Sequence, residues 1–495
     1  MGNYFSLEPP FIFLTLWGIF LTCLSFLAVP VFAPLKKKTF ALLYLGFAGG
    51  ISLVFLSESW LFLVIGWEII TLTTAFMVSQ SHRKLGQQYF FLQFVGECLF
   101  LYTVILAQTT GYQKVGVISE VWLQNLFIVG VGLKSAIFGL HFWLPPVHSQ
   151  ASPPVSAILS GLTVKIGFVL LWRIIPQENA FLLGLGLIMA IYGGIQALLA
   201  TDYKVLLAYS TISQLGYIAL GIGIGSPLAR AGSILHLVAH SLAKSTLFIG
   251  SGLWEKAHHT RNIYQFQNSW GKNPLNALAT TIGFLSLAGI APFAGYAGKH
   301  LIKLEAEGNL WLLILIQLIS FLSVLYSLRF LWWGLFKNRS NFTLQKEVQK
   351  SNLSFQLLIA TFILLILGIW PSTFSALLGI ETDGLFLWSF QKILSNLIPL
   401  VTGGLLLFWL GGLSVRPKKA PSLDFLFQGT YTCCYRISRR CFQLLDSEKW
   451  IKEGLGGGIL LLSQKIYRIV FTSFSNQLLL IPILLFLLLL LARIK

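Results

Sequence analysis

Stretches of 17 or more predominantly apolar residues recur along the whole chain, at 11–32, 39–57, 60–79, 88–107 and onward. Each is close to the ~20 residues that a helix needs to cross a bilayer core. Some 14 to 15 such segments are expected. Of 495 residues, 56% are hydrophobic and 11% charged, whereas a soluble globular chain carries about 25% charged residues. The fold class that follows is an all-α polytopic membrane protein, and a count of water-soluble domains does not apply to it.

The net charge is +18. Nucleic acid is not the natural partner for it, because the basic residues are dispersed through short loops rather than gathered on a polar domain. Numbered in order, the odd loops hold 21 Lys and Arg, including Lys36 to Lys38, Arg83, Lys84, Lys256, Arg261 and Lys272, against about four in the even loops. Even without the eight that follow Leu413, 13 against four remains. The positive-inside rule then places the odd loops on the cytoplasmic or stromal side and the N-terminus opposite. The segment 11–32 is too long for a signal h-region and lacks a basic n-region, so it reads as a retained span.

Against this apolar background, Lys134, Lys165, Lys244 and Lys299 lie inside spans, with Glu68 in another. Each such group costs roughly 2.5 to 3.5 kcal/mol at the bilayer centre, so five oppose insertion by on the order of 10 kcal/mol. Buried charge of this kind marks an ion path. In the ninth span His236, His240 and Lys244 recur at i, i+4 and i+8, one helical stripe about 12 Å long. One histidine alone reads equally as polar glue between helices; three aligned titratable groups read as a proton relay. Beside Lys134, burial would disfavour the ammonium and Glu68 would favour it, a balance suited to an electrostatic switch. Lys165 and Lys299 lie several residues from the nearest expected interface, which disfavours snorkelling. Glu97 reads either as a further acidic group or as a helix-packing hydrogen bonder. Asp202 and Lys204 fall at a loop, where a solvated or capping role is expected.

Two spans are interrupted. The segment 126–150 runs through Lys134 to Pro145 and Pro146 and on to Pro153 and Pro154, and 277–304 runs through Gly289, Pro292 and Gly295 to Lys299. Broken helices at membrane depth are expected beside an aqueous cavity. They are the fifth and tenth spans, which divides the chain into an N-terminal helix at 1–38, five-helix units at 39–173 and 180–336, and C-terminal helices at 353–413. An odd number of helices per unit makes the repeat inverted, with sites near the midplane. The remainder, 414–495, is a basic extension in which 455–473 is interfacial or spanning and 477–492 is a leucine-rich span. Cys23 and Cys98 read as small apolar residues, and Cys433, Cys434 and Cys441 lack metal-ligand spacing. Neither Gly221 to Gly225 nor Gly454 to Gly458 has the setting of a dinucleotide site. No cofactor, no metal and no catalytic centre is expected on this chain.

From about residue 40 to 336 the chain resembles the antiporter-like membrane subunits of respiratory complex I and of Mrp-type multisubunit cation/proton antiporters. The resemblance is carried by Gly66-Trp67-Glu68, Gly132-Leu133-Lys134-Ser135, His141-Phe142-Trp143-Leu144-Pro145, Ser152-Pro153-Pro154-Val155-Ser156-Ala157, Asp202-Tyr203-Lys204, the run Leu207 to Tyr217, the His236/His240/Lys244 stripe, and Gly289-Ile290-Ala291-Pro292-Phe293 leading to Lys299. It implies fourteen core helices with two inverted five-helix repeats, each with a broken helix. It also implies that Glu68 pairs with Lys134, that Lys165 continues a central polar axis, that the stripe links the halves, and that Lys299 ends the path. The chain departs from the pattern at its start, where about two helices of the usual set are not found. At its end, Leu445 to Trp450 resembles the tail of Mrp-type subunits. The implied function is proton translocation, with or without sodium exchange, as one subunit of a complex I-like NAD(P)H-quinone oxidoreductase or an Mrp-type antiporter in an energy-transducing membrane such as a bacterial plasma membrane or thylakoid. The implied partners are other membrane subunits and the bilayer, with no nucleic acid. The alternatives are a non-conducting scaffold subunit and a self-sufficient cation/proton antiporter.

Overall fold

A computed structural model describes residues 4–33, 37–337, 352–378 and 401–404. The chain divides into two compact units, 1–422 and 423–495. The second unit lies outside the described residues, with the expected helices at 455–473 and 477–492, Cys433, Cys434, Cys441 and the Leu445 to Trp450 tail; so does most of 379–413.

The first unit is built of helices. In chain order they are α1 (Pro9–Phe26), α2 (Val29–Phe32), α3 (Lys37–Leu56), α4 (Trp60–Ser81), α5 (Arg83–Thr109), α6 (Val121–Gly132), α7 (Leu144–Gln150), α8 (Pro153–Gly161) and α9 (Ile166–Ile174). The second half continues with α10 (Ala180–Leu199), α11 (Tyr203–Ile224), α12 (Pro227–His258), α13 (Ser269–Lys272), α14 (Pro274–Ala288), α15 (Gly295–Glu305), α16 (Leu310–Phe330), α17 (Asn352–Ile369) and α18 (Pro371–Leu377). Their ends are written in the sequence. The side chains of Asn179, Asp202, Ser226, Asn273 and Asn309 accept from backbone amides of the first turns of α10, α11, α12, α14 and α16, satisfying donors that a helix start leaves free. Proline opens α1, α7, α8, α12, α14 and α18, where its missing N–H costs nothing.

Eight helices among the described residues are long and apolar enough to cross a membrane. The 32-residue α12 is not one of them, because His236, His240, Lys244 and several hydroxyls dilute its apolarity. It is nonetheless buried almost throughout from Ala229 to Trp254, packed against α8, α11, α14, α15 and α17. The bundle interior is where lipid leaves room for polar side chains.

Loop contacts sort by parity. Odd loops bond to odd loops: Lys256 donates to the Val31 carbonyl, Ser152 N to Ser81, and Arg261 to the Ser149 carbonyl, while Asp202 bridges Asn262. Even loops bond to even loops and to the N-terminus: Phe5 bridges Ser57, Lys114 pairs with Glu58, Ile118 N donates to Ile174 O, and Asn179 N to Gly223 O. The two groups mark opposite ends of the bundle. The five spans from α3 to α9 therefore start at the odd end, and the five from α10 to α16 start at the even end. They run in opposite senses, as an inverted repeat requires.

Both expected breaks are present. After α6 the chain unwinds over 133–143, with Ala136 at φ 51° and Gly139 at φ 86°, before α7 resumes. After α14, Gly289 at φ 77° and Pro292 precede α15. Pro145 and Pro146 begin α7 at the first break. Pro153 and Pro154 do not belong to that break: they open α8, the next span, at positions a proline occupies without loss. A third interruption was not expected. The span 153–174 narrows to a 3-10 turn at Thr163–Lys165, and no proline marks it.

Candidate functional site

Of the four lysines expected inside spans, three occupy these breaks. A helix that stops inside the bundle leaves carbonyls in its last turn without partners, at the negative end of its dipole. Lys299 Nζ, on α15, donates to the Leu287 carbonyl in the last turn of α14 at 2.6 Å. Lys165 donates to the Ser160 carbonyl at the end of α8. Lys134 follows α6 directly and reaches across to α4, donating to the Trp67 carbonyl at 3.1 Å and to Thr71 Oγ1.

The first break holds the acidic groups. Lys134 Nζ lies 3.3 Å from Glu97 Oε1, and both side chains are almost fully buried. Thr71 Oγ1 also donates to Glu97 Oε1, and the face of Trp67 covers the ammonium at 4.7 Å. Glu68 is the less buried carboxylate, and it interacts electrostatically with both Glu97 and Lys134. The direct partner of Lys134 is thus Glu97, with Glu68 acting on it from farther away. Of the two roles open to Glu97, it takes that of a further acidic group.

From Lys165 the polar contacts continue toward α11 and α12. Ser160 Oγ is 2.8 Å from Thr211 Oγ1, which donates to the Leu207 carbonyl, and Lys244 Nζ donates to that same carbonyl at 2.9 Å and to Ser210 Oγ at 2.5 Å. His240 stacks 6.0 Å from His236, whose Nε2 lies 2.9 Å from Gln214 Oε1. Gln214 Nε2 donates to Tyr326 OH on α16 at 2.7 Å. Lys299 lies 4.8 Å over the Tyr217 ring and donates to Ser323 Oγ at 3.1 Å, while Tyr217 OH meets Ser320 Oγ at 2.6 Å. Among the described residues Lys134 and Lys165 share no hydrogen-bond partner; Gly167 on α9 packs against Ser135, beside Lys134.

At the odd end, Asp202 caps α11 as expected and pairs with Arg261 at 3.1 Å. Lys204 is not solvated. It is buried and pairs with Glu255 at 3.2 Å. Cys23 and Cys98 are exposed on helix surfaces.

Sequence reasoning missed Thr71, Ser160, Ser210, Gln214, Tyr217, Ser323 and Tyr326. One signal was available: Ser320, Ser323 and Ser327 fall at i, i+3 and i+7 on α16, a polar stripe in an otherwise apolar span.

Fold and site together define an all-α, polytopic membrane protein with a series of buried lysines and histidines among its described helices. The chain belongs to the NADH:quinone oxidoreductase/Mrp antiporter transmembrane family, whose model matches residues 57–325, more than half of its length. Formate hydrogenlyase subunit 3 of Escherichia coli is 33% identical over 285 residues, which make up 52% of this chain and 46% of that protein. In structure, a chain of the Mrp complex from a Dietzia species superposes with a TM-score of 0.74 at 22% identity, covering 95% of this chain and 56% of that one. A chain of Thermus thermophilus respiratory complex I gives 0.64 at 24% identity, covering 76% of this chain and 87% of that one. The protein thus spans about half the length of the curated relative and of the Mrp chain.

Proposed function

We propose that this chain moves protons, with or without exchange for a cation, as one subunit of a larger membrane assembly of the complex I or Mrp type. It holds no cofactor of its own, and redox or nucleotide chemistry belongs to other chains. The odd-loop end, rich in Lys and Arg, faces the cytoplasm or its equivalent, and the N-terminus faces away.

The observation that carries this reading is the buried Lys134 to Glu97 ion pair beside Glu68, followed by three further buried lysines and two histidines. Buried charges of one sign interact strongly where the dielectric is low. A proton gained at Lys165, Lys244 or Lys299 therefore raises the free energy of a charge on its neighbours. Opening the Glu97 to Lys134 contact would unmask the field of Lys134 toward Lys165 and send that perturbation down the file. Carbonyls and hydroxyls at the breaks can solvate an ammonium and do not compete for its proton.

The test of assembly is to purify the tagged full chain in mild detergent and identify co-purifying chains by mass spectrometry. Flavin or iron-sulfur subunits place it in a redox-driven pump; small membrane subunits alone place it in an Mrp-type antiporter. A chain that purifies alone and exchanges cations for protons when reconstituted overturns the subunit reading.

A further inference from the structure

We propose that Gln214, on α11, is a positioning residue whose amide orientation couples the protonation form of His236 to Tyr326 on α16. The inference rests on the proton-path reading above and adds a connection to it.

Gln214 is fully buried between two helices that never meet it in sequence. Its Oε1 stands 2.9 Å from His236 Nε2 and its Nε2 donates to Tyr326 OH at 2.7 Å. A carboxamide offers an acceptor on one side and donors on the other, and turning it by half a rotation exchanges them with no change of shape. In the orientation seen, Oε1 requires a proton on His236 Nε2, and Tyr326 must accept. In the reversed orientation the amide N–H faces His236 Nε2, which must then be bare, and Tyr326 donates its own proton to Oε1. The ring can be protonated at Nε2 only in the first orientation. A buried donor facing a donor, or acceptor facing acceptor, leaves both unsatisfied, so the amide follows the ring.

The consequence reaches Lys299. Tyr326 shares α16 with Ser320 and Ser323; Ser323 accepts from Lys299, and Ser320 holds Tyr217, whose ring lies under the same ammonium. When His236 loses its Nε2 proton, the Tyr326 hydroxyl must turn, on the helix that carries the Lys299 partners. Gln214 can inform the end of the path of the state of the relay without carrying a proton itself. Lys299 and Lys165 act electrostatically on His236; Lys165, Lys244, His236 and Lys299 act on His240; and the Tyr217 ring lies 5.8 Å from that of His236.

The test measures ΔpH formation across vesicles holding the complete assembly, over a range of pH, with assembly checked by native electrophoresis. Gln214→Met keeps shape and burial but presents no polar atom that matches either partner. It should lower the rate by up to about tenfold, the net equivalent of one buried hydrogen bond, and shift the pH midpoint. Tyr326→Phe should shift the midpoint in the same sense, and the double variant should be no slower than Gln214→Met, because the three groups act as one unit. Gln214→Asn, too short to reach both partners, should not rescue. A wild-type rate and pH profile for Gln214→Met, or additive losses in the double variant, overturn the coupling. Lys134→Met and Lys299→Met in the same vesicles separate the two claims. If they abolish ΔpH while Gln214→Met is silent, only this inference fails; if they too are silent, the proton-path reading fails.

Discussion

Lys134 and Lys299 sit at equivalent breaks of two oppositely running five-helix units, yet their surroundings differ in kind. Lys134 has a buried carboxylate at 3.3 Å and a second acid behind it. Lys299 has a helix-end carbonyl, a serine hydroxyl and a tyrosine ring, and no ion pair among the described residues. The first site is a buried ion pair; the second lysine is met by neutral dipoles alone among the described residues. The two units thus share a lysine at a helix break but differ in what meets it: a carbonyl and a carboxylate of neighbouring helices at Lys134, the open end of α14 at Lys299. On the proposed function, the acid-bearing site would respond to fields from outside the chain, and the dipole-lined site would pass its proton onward without a counter-charge to hold it.

The largest expected break in this comparison is loss of either lysine. Lys134→Met and Lys299→Met should each lower ΔpH formation by on the order of 100-fold or more, since each interrupts a single file of charge. Next come the partners. Glu97→Gln leaves a buried ammonium without its counter-charge and should cost about 3 to 5 kcal/mol, read as lower thermal stability or expression. Ser323→Ala at the second site removes one hydrogen bond and should cost about 1 to 3 kcal/mol. If the two losses were equal, the distinction between a paired and a dipole-lined site would not hold. Glu68→Gln should slow transport less than Glu97→Gln, because Glu97 is in direct contact with Lys134 and Glu68 acts on it from farther away; the initial rates of the two variants in vesicles decide this.

The smallest effects concern the backbone. Ala136 holds a left-handed conformation in the first break and Gly289 one in the second. Ala136→Gly should relieve strain and stabilise by about 1 kcal/mol. Gly289→Ala should destabilise by at least about that much, because its Cβ would also stand 2.7 Å from Lys299 Cδ. Thermal unfolding in detergent reads both signs.

Much of this was legible in the sequence because lipid makes charge conspicuous. Lys134, Lys165, Lys244, Lys299, His236 and His240 stand out in apolar runs, and Gly289 and Pro292 announce a break as plainly as they form one. Glu97 was not assignable, since no periodicity tells which face of a long apolar helix meets its neighbour. The hydroxyls were hidden for another reason. Serine and threonine in a span commonly bond a carbonyl of their own helix, as Thr73 and Thr74 do on α4, and this masks the few, such as Ser210 and Ser323, that reach another chain segment. The 3-10 turn that ends at Lys165 carries no proline to betray it, and Lys204 reads as a loop residue in sequence because its partner Glu255 lies 51 positions away.

The most direct test of a conducting lysine file is ΔpH formation by the complete assembly in vesicles, comparing wild type with Lys134→Met and Lys299→Met after native electrophoresis confirms equal assembly. Loss of ΔpH in both variants with the complex intact is the predicted result. Undiminished ΔpH in both would contradict the account and leave the chain as a scaffold.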